Sequence, residues 1–302
     1  MNKAWQELAV VIGQTVADLI ADKLIEYGAQ GAVFEAVEDQ PDHTKVLAYY
    51  PEDADLNELI QRIQRYLNSL QELGEKIGQP RFLSHPVADQ DWNTVWKQYF
   101  TPARIGQHLV IKPSWESFEA HPSDIVIEID PGMAFGTGLH ASTRLAITLL
   151  EEYIPPEGDV LDVGVGSGIL SIVAARLGAT YVLGVDIDAE AVTIARENVC
   201  KNFRLCAENQ VKEHCIDLRV GSLDSLNIAR EFECIVMNIR PNIIVPLIPY
   251  AETFLRTGGA LIVSGVLEEE GPDLLHQIRS LKFIAHKHLV KEGWIAYVLS
   301  KV

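Results

Sequence analysis

The stretch VLDVGVGSGILS, residues 160–171, places three glycines between a run typical of a buried strand and a run typical of a helix. Glycines let a ligand approach the backbone, and the first turn of the helix offers free N–H groups. A dinucleotide fingerprint, G-x-G-x-x-G, would need a third glycine at position 169, where this chain has Ile169. A G-x-x-x-x-G-K-[ST] phosphate loop is also absent from the sequence. The stretch therefore predicts an α/β fold with a ligand other than NAD or ATP.

An acidic residue follows these glycines at a suitable distance. Asp186 ends the next predicted strand, in GVDID, about twenty residues later, which is the reach of one strand–helix–strand step. An acid at this place can accept hydrogen bonds from ribose hydroxyls. Taken alone, the glycines would be explained by a tight turn, and Asp186 by a carboxylate exposed to solvent. Together the two features favour a nucleoside ligand.

The order of predicted elements divides the chain into two parts. From residue 101 onward strands and helices alternate, which is typical of a doubly wound α/β sheet. The first part has the order β-α-β-β-α-β, which suggests a small ferredoxin-like α+β unit. We predict this unit over residues 1–80, a linker over 81–100 and the α/β domain over 101–302. The linker ends in aromatic residues that fit either an aromatic helix packed on the next domain, or a hinge or a wall of a substrate channel, namely Trp92, Trp96, Tyr99 and Phe100.

Composition argues against several classes of function. The 302 residues carry a formal net charge of −17. We therefore expect basic partners and do not expect nucleic acid as a direct partner. No apolar run is long enough to span a membrane, and the first residues lack a signal-peptide pattern. The cysteines form no C-x-x-C pair, so we expect no metal site and free thiols in a reducing cytoplasm.

A second open loop precedes the first. DPGMAFGTGLHAST, residues 130–143, carries Gly136 and Gly138 on either side of Thr137, followed directly by the polar HAST. An ordinary turn from a strand to a helix does not need so many glycines. We predict that both loops hold one cofactor.

Two motifs carry a resemblance to a known superfamily. VLDVGVGSG resembles the first motif of class I S-adenosylmethionine-dependent methyltransferases, and GVDID resembles the second. The loop at 130–143 and the segment WKQYFTPARIGQHLVIKPSWE, residues 96–116, are similar to sequences of the ribosomal protein L11 methyltransferases, the PrmA family. This resemblance implies a Rossmann-like class I methyltransferase domain preceded by a small substrate-recognition domain.

The resemblance also implies the residues of the cofactor site. Those that would contact S-adenosyl-L-methionine are Thr143, Gly164, Gly166, Asp186 and Asn238. Thr143, in the first turn of its helix, would meet the methionine carboxylate, and an ordinary role in capping the helix is the alternative.

Other residues would act on the substrate. Asn238 would also accept a hydrogen bond from the substrate amine and aim its lone pair, and a turn asparagine is the alternative. His140 is the candidate general base, and a structural role is its alternative. Phe135 would either cover the cofactor or fill the core. The family usually has N-I-L-A-N where this chain has N-I-R-P-N, so Arg240 and Pro241 put the positioning of the substrate in question.

The activity implied by the resemblance is repeated N-methylation of ribosomal protein L11, at lysine side chains and at the N-terminal α-amine. An acidic enzyme suits such a basic substrate. Methylation of another protein or of a small-molecule amine is one alternative. A nucleotide-binding regulatory module without catalysis is a second. An RNA methyltransferase fits less well because the net charge has the wrong sign.

Overall fold

The computed structural model describes residues 5–29, 32–37, 40, 42–72, 77–87, 100–130, 140–204, 215–279, 281 and 283–301. These residues form two compact units, one up to Thr101 and the other from Pro102 onward. The FGTG residues, Phe135 and the aromatic residues at 92, 96 and 99 lie outside the described residues, so the predictions made for them stay predictions.

The first unit is a four-stranded antiparallel sheet with two helices. Its elements are β1 (Trp5–Gly13), α1 (Gln14–Glu26), β2 (Ala32–Ala36), β3 (His43–Pro51), α2 (Leu56–Glu72) and β4 (Arg81–Val87). Their order along the chain is the predicted one, and the strand order in the sheet is β2-β3-β1-β4. β4 pairs with β1 from Arg81 to Val87, so the sheet extends past residue 80 into the stretch expected to be a linker.

The core of this unit follows from two sequence periodicities. Leu8, Val10 and Ile12 alternate along β1 and are fully buried on one face of the sheet. The α2 helix buries leucine and isoleucine residues at helical spacing on the same core, namely Leu59, Ile63, Leu67 and Leu70. Each such side chain stabilises the fold by roughly 1.5–3 kcal/mol when it is fully buried. Tyr50 is also fully buried, and its hydroxyl donates to the Leu24 carbonyl at 2.8 Å.

The second unit contains a seven-stranded sheet with helices on both faces. Its elements, in chain order, are β5 (Ala103–Ile105), β6 (Leu109–Lys112), β7 (Ile125–Glu128), α3 (Ala141–Tyr153), β8 (Asp159–Val163), α4 (Ile169–Arg176), β9 (Tyr181–Asp186), α5 (Ala189–Arg204), β10 (Ile216–Val220), β11 (Phe232–Asn238), α6 (Pro241–Phe254), β12 (Leu255–Leu267), α7 (Gly271–Ile278), β13 (Phe283–Lys291) and β14 (Trp294–Lys301). The strand order is β10-β9-β8-β11-β12-β14-β13. The first five strands are parallel, and β14 is antiparallel to both of its neighbours.

Apolar side chains cover both faces of this sheet. Residues of α3, α4 and α5 share one buried cluster, and residues of α6 and α7 share the other. The α6 helix continues through Pro246 and Pro249, where the sequence left its bounds uncertain. It does so while burying Ile244 and Ile248 completely. Burial of this face offsets the backbone hydrogen bonds that the prolines remove.

Three strands form a separate small sheet in the order β5-β6-β7, which the sequence did not distinguish from the main sheet. Its edge strand β7 is bound by the side chain of Asn202 on α5. The Asn202 amide accepts from the Glu128 N–H and donates to the Glu128 carbonyl, both at 2.8 Å. One side chain therefore satisfies both backbone groups of an edge residue.

Among the helices that the structure describes, none has the length and apolar character required to cross a membrane.

Candidate functional site

The site lies at the carboxyl ends of the parallel strands. From β8 the chain proceeds outward to β9 and β10, and it then returns to place β11 and β12 on the other side of β8. The order of strands therefore reverses between β8 and β11. In open α/β sheets, ligands bind outside the carboxyl ends of the strands at such a switch point.

The glycine loop connects β8 to α4. Gly164, Gly166 and Gly168 all have positive φ, and Gly168 is the N-cap of α4 without a side-chain cap. The backbone N–H groups of Gly164 and Val165 both donate to the Val185 carbonyl, at 2.8 and 3.0 Å. These bonds tie the loop to β9, the strand that carries the predicted acid.

Asp186 lies at the end of β9, directly against this loop. One carboxylate oxygen accepts from the Gly166 N–H at 2.9 Å, and the other accepts from the Asp188 N–H at 3.0 Å. The structure thus brings together Gly166 and Asp186, two of the residues predicted to contact the cofactor. Each carboxylate oxygen has two acceptor positions, so the half-buried Asp186 keeps capacity for ribose hydroxyls.

Two exposed apolar side chains beside Asp186 were not singled out from the sequence. Ile187 is 77% exposed, and Val220 at the end of the neighbouring strand β10 is 54% exposed. Val220 stands opposite Asp186 in the parallel register. The signal was present in the D-I-D of GVDID, where an apolar residue separates two acids. Such a surface suits the flat apolar face of a nucleobase.

Asn238 and Thr143 meet on the other side of the switch point. The Asn238 amide nitrogen donates to the Thr143 hydroxyl at 3.1 Å, and both side chains are buried. Nothing in the described part of the chain donates to the Asn238 carbonyl oxygen, although this oxygen is buried. A buried acceptor without a donor costs roughly 1–3 kcal/mol. At this strand end, an N–H group of a ligand is a donor that can satisfy such an acceptor.

His140 stands at the start of α3 as the N-cap residue. Its Nδ1 accepts from the Ser142 N–H at 3.3 Å and lies 2.7 Å from the Ser142 hydroxyl. The ring also contacts Trp294 edge-on, with 4.7 Å between the ring centroids. These contacts give His140 a structural role at the helix terminus. Its role as a general base stays a prediction.

Comparison with known proteins identifies the family. The family model described as ribosomal protein L11 methyltransferase (PrmA) matches residues 4–302. The chain belongs to this family. A ribosomal protein L11 methyltransferase of Streptococcus equi subsp. zooepidemicus is 33% identical over 99% of this chain and 96% of its own length. That of Geobacter metallireducens is 38% identical over 89% of each chain.

A solved structure of the same family shares the fold. The ribosomal protein L11 methylase of Lactobacillus delbrueckii subsp. bulgaricus is 32% identical, with a TM-score of 0.60. The match covers 67% of this chain and 99% of that chain. The α/β fold with its mixed sheet is therefore that of an L11 methyltransferase.

Asp162 lies beneath the glycine loop, in the β8 strand of this methyltransferase fold. It is fully buried, and one oxygen accepts from the Ser171 hydroxyl at 2.7 Å. Burial raises the pKa of Asp162 to about 7, against the lowering effect of Ser171, and the nearby Asp186 carboxylate raises it further. The sequence places this acid at the start of the glycine motif, but the pattern alone assigned it no separate role.

The segment Asn238–Asn242 contains the departure from the usual family pattern. Arg240 is the exposed N-cap of α6, and Pro241 occupies the first turn, where a missing N–H costs little. Within the described residues the Arg240 guanidinium makes no hydrogen bond or ion pair. The departure therefore leaves the start of α6 regular and adds one cation two residues from Asn238.

Proposed function

We propose that this protein transfers methyl groups from S-adenosyl-L-methionine to ribosomal protein L11, at lysine side chains and at the N-terminal α-amine. The family match over residues 4–302 supports the reaction and the substrate class. The observation that carries the proposal within the structure is the buried Asn238 carbonyl oxygen at the switch point of the sheet, to which no group of the described residues donates. An amine nitrogen is a donor that this oxygen can take.

The residues around the switch point fit the cofactor. Asp186 would accept from the ribose hydroxyls, and the exposed Ile187 and Val220 would contact the adenine. The loop at Gly164 and Gly166 would pass close to the nucleoside, since neither residue carries a side chain. Thr143 and the N–H groups at the start of α3 would meet the methionine carboxylate. When bound, S-adenosyl-L-methionine supplies an activated methyl group on a sulfonium, so the protein's remaining tasks are alignment and a neutral nucleophile.

Keeping the acceptor amine neutral has a cost that differs between the two kinds of acceptor. Deprotonating a lysine of pKa near 10.4 at pH 7 costs about 4.6 kcal/mol, and an α-amine of pKa near 7.8 costs about 1 kcal/mol. The Asn238 carbonyl would accept an N–H of the neutral amine and thereby aim its lone pair. The departing proton would pass to water or to His140. Methylation of lysine should accordingly rise with pH more steeply than methylation of the α-amine.

We also propose that the first unit recognises the protein substrate. Its element order and its sheet order β2-β3-β1-β4 support a ferredoxin-like fold. The net charge of −17 favours a basic ribosomal protein and weighs against nucleic acid as a direct partner. Such a substrate is made in the cytoplasm, which is the location we propose.

The decisive experiment combines purified protein, purified L11 and isotope-labelled S-adenosyl-L-methionine, with the methylated sites located by mass spectrometry. We expect label on lysines and on the N-terminus of L11. Cofactor binding by calorimetry without label on L11, but with label on another component of a cell extract, would favour a different protein or small-molecule amine. Cofactor binding without any methyl transfer would favour a regulatory module.

A deletion tests the proposed recognition role. A variant without residues 1–101 should bind S-adenosyl-L-methionine with unchanged affinity in a calorimetric titration and should not methylate folded L11. Turnover of L11 at the normal rate by this variant would refute the role of the first unit.

The salt dependence of the reaction tests the role of charge. Methylation of L11 by the full chain should weaken as the salt concentration rises, because screening reduces the attraction between opposite charges.

A further inference from the structure

Ile239, the residue after Asn238, passes between two glycines, one in the glycine loop after β8 and the other in β12. A β-carbon at Gly164, in the glycine loop after β8, would overlap the Ile239 Cγ2 methyl group. A β-carbon at Gly265, in β12, would lie 2.5 Å from the Ile239 carbonyl oxygen and 2.9 Å from its backbone nitrogen. One glycine therefore makes room for the side chain of Ile239, and the other makes room for its backbone.

The backbone of β12 is irregular at Gly265. Along the pairing with β14, Val263 stands opposite Tyr297 and Val266 stands opposite Ile295, so an extra residue is inserted between them. Gly265 lies in this β-bulge with φ +79°, a conformation that favours glycine. Bulges near active sites commonly re-aim a neighbouring group. Here the bulge opens the space through which the Ile239 backbone passes.

Two hydrogen bonds hold the residues next to this contact. Asn238 pairs with Ser264 in the parallel register of β11 and β12. The Ser264 hydroxyl donates to the Ser142 carbonyl at 2.8 Å, and the Asn238 amide donates to Thr143 at 3.1 Å. Both bonds end in the first turn of α3. The side chain of Asn238 is thus anchored to α3, and the backbone that follows it is anchored by the glycines.

We propose that Ile239 is a positioning residue for methyl transfer, whose contacts with Gly164 and Gly265 fix the Asn238 amide relative to the glycine loop. The inference rests on the proposed function. It makes two separate predictions, because Gly164 meets the Ile239 side chain whereas Gly265 meets its backbone.

The first experiment compares Gly265→Ala with Gly258→Ala. Gly258 lies in the same strand with the same φ of +79°, but no atom of the described residues lies within 4 Å of the place where its β-carbon would stand. The two variants therefore share the backbone strain, and only Gly265→Ala collides with Ile239. Since small displacements of reacting groups can cost about a hundredfold in rate, we expect kcat for L11 methylation to fall at least about tenfold in Gly265→Ala. We expect Gly258→Ala to stay within about threefold of the wild type, and the Kd for S-adenosyl-L-methionine to change less than about threefold in both.

The second experiment asks whether Ile239→Ala relieves each collision. Gly164→Ala should raise the Kd for S-adenosyl-L-methionine. Adding Ile239→Ala to this variant should lower the Kd again by at least about threefold, because the colliding methyl group is gone. Ile239→Ala should restore none of the kcat lost in Gly265→Ala, since alanine keeps the backbone atoms. A general loss of stability would not produce this asymmetry.

The outcomes separate the inference from the proposed function. If Gly265→Ala and Gly258→Ala methylate L11 at the same rate, the inference is wrong and the function stands. If Gly258→Ala and the wild type both fail to methylate L11, the proposed function fails and the inference falls with it. If Gly265→Ala does not fold, Ile239→Ala decides alone. It should lower kcat at least about threefold with the cofactor Kd unchanged, and an unchanged kcat would overturn the inference.

Discussion

The two halves of the parallel sheet, on either side of its switch point, are built differently. The half with β8, β9 and β10 presents backbone N–H groups and a carboxylate, and both Asp186 oxygens already accept hydrogen bonds. The half with β11 and β12 presents an amide whose carbonyl oxygen is buried and receives no hydrogen bond from the part of the chain that the structure describes. In the first half the Asp186 carboxylate is already held at both oxygens, whereas in the second half no group of the described residues donates to the Asn238 carbonyl oxygen. We infer that the first half holds the cofactor and the second half receives the acceptor amine.

The largest expected effect concerns the buried acid of the first half. Because the folded-state pKa of Asp162 is raised to about 7 from 3.8, the folded protein holds a proton that unfolding releases between these values. The protonated Asp162 carboxyl therefore contributes to the free energy of unfolding below about pH 4, and this contribution is lost as pH rises to about 7. The total loss is on the order of 4 kcal/mol. Asp162→Asn, which cannot titrate, should lack this loss.

Urea unfolding of both proteins at several pH values checks this prediction. The difference in unfolding free energy between Asp162→Asn and the wild type should shift in favour of the variant as pH rises, and then become constant above about pH 7. A difference that does not change with pH would mean that the Asp162 carboxyl titrates normally in the folded protein.

The next effect tests whether the first half holds the cofactor. Asp186→Ala removes the carboxylate that would bind ribose and that accepts from the Gly166 N–H. Since hydrogen bonds to charged groups contribute roughly 1.5–3 kcal/mol each, we expect the Kd for S-adenosyl-L-methionine to rise about a hundredfold by calorimetry. Asp188→Ala is the matched control, because Asp188 is an exposed acid two residues away that accepts from the Glu190 N–H. Equal losses in both variants would contradict the assignment of ribose to Asp186.

A smaller effect tests the second half. Asn238→Ala removes the acceptor for the substrate amine, so we expect kcat to fall about thirtyfold, which corresponds to about 2 kcal/mol. The cofactor Kd should change less than about threefold. A large loss of cofactor affinity without a change in kcat would move Asn238 to the cofactor side of the comparison.

The smallest effect concerns the residue that holds Asn238. Thr143→Val removes the hydroxyl that accepts from the Asn238 amide, and we expect kcat to fall about fivefold. Thr143→Ser keeps the hydroxyl and should stay close to the wild type. Steady-state kinetics with L11 as the varied substrate measures both. Equal rates in the valine and serine variants would show that the hydrogen bond does not position Asn238.

The sequence predicted the first half of the sheet better than the second. The glycine loop and Asp186 belong to one strand–helix–strand step, so their spacing alone brings them together. The contacts of Ile239 with Gly164 and Gly265 depend on β11 lying between β8 and β12. That order is set by the packing of the whole sheet, and no local spacing reveals it.

Two elements show where local patterns are insufficient. β10 was not predicted, because Asp217 and Arg219 interrupt its apolar residues, as is common in an edge strand with one exposed side. The segment PRFLSHPV, residues 80–87, predicts the last strand of the first unit, but the pairing of β4 with β1 was needed to show that the sheet continues beyond residue 80. In both cases the pairing with a neighbouring strand, β9 for β10 and β1 for β4, shows what the sequence of the segment alone does not.

The two hydrogen bonds between the Asn202 side chain and the Glu128 backbone have a consequence for solubility. An open edge strand presents unpaired N–H and carbonyl groups, which can recruit a strand from another molecule and start aggregation. At Glu128 both of these groups are already occupied by the Asn202 amide. A foreign strand would have to displace this side chain before it could pair with β7 at Glu128, so a single asparagine blocks this position of the edge to intermolecular pairing.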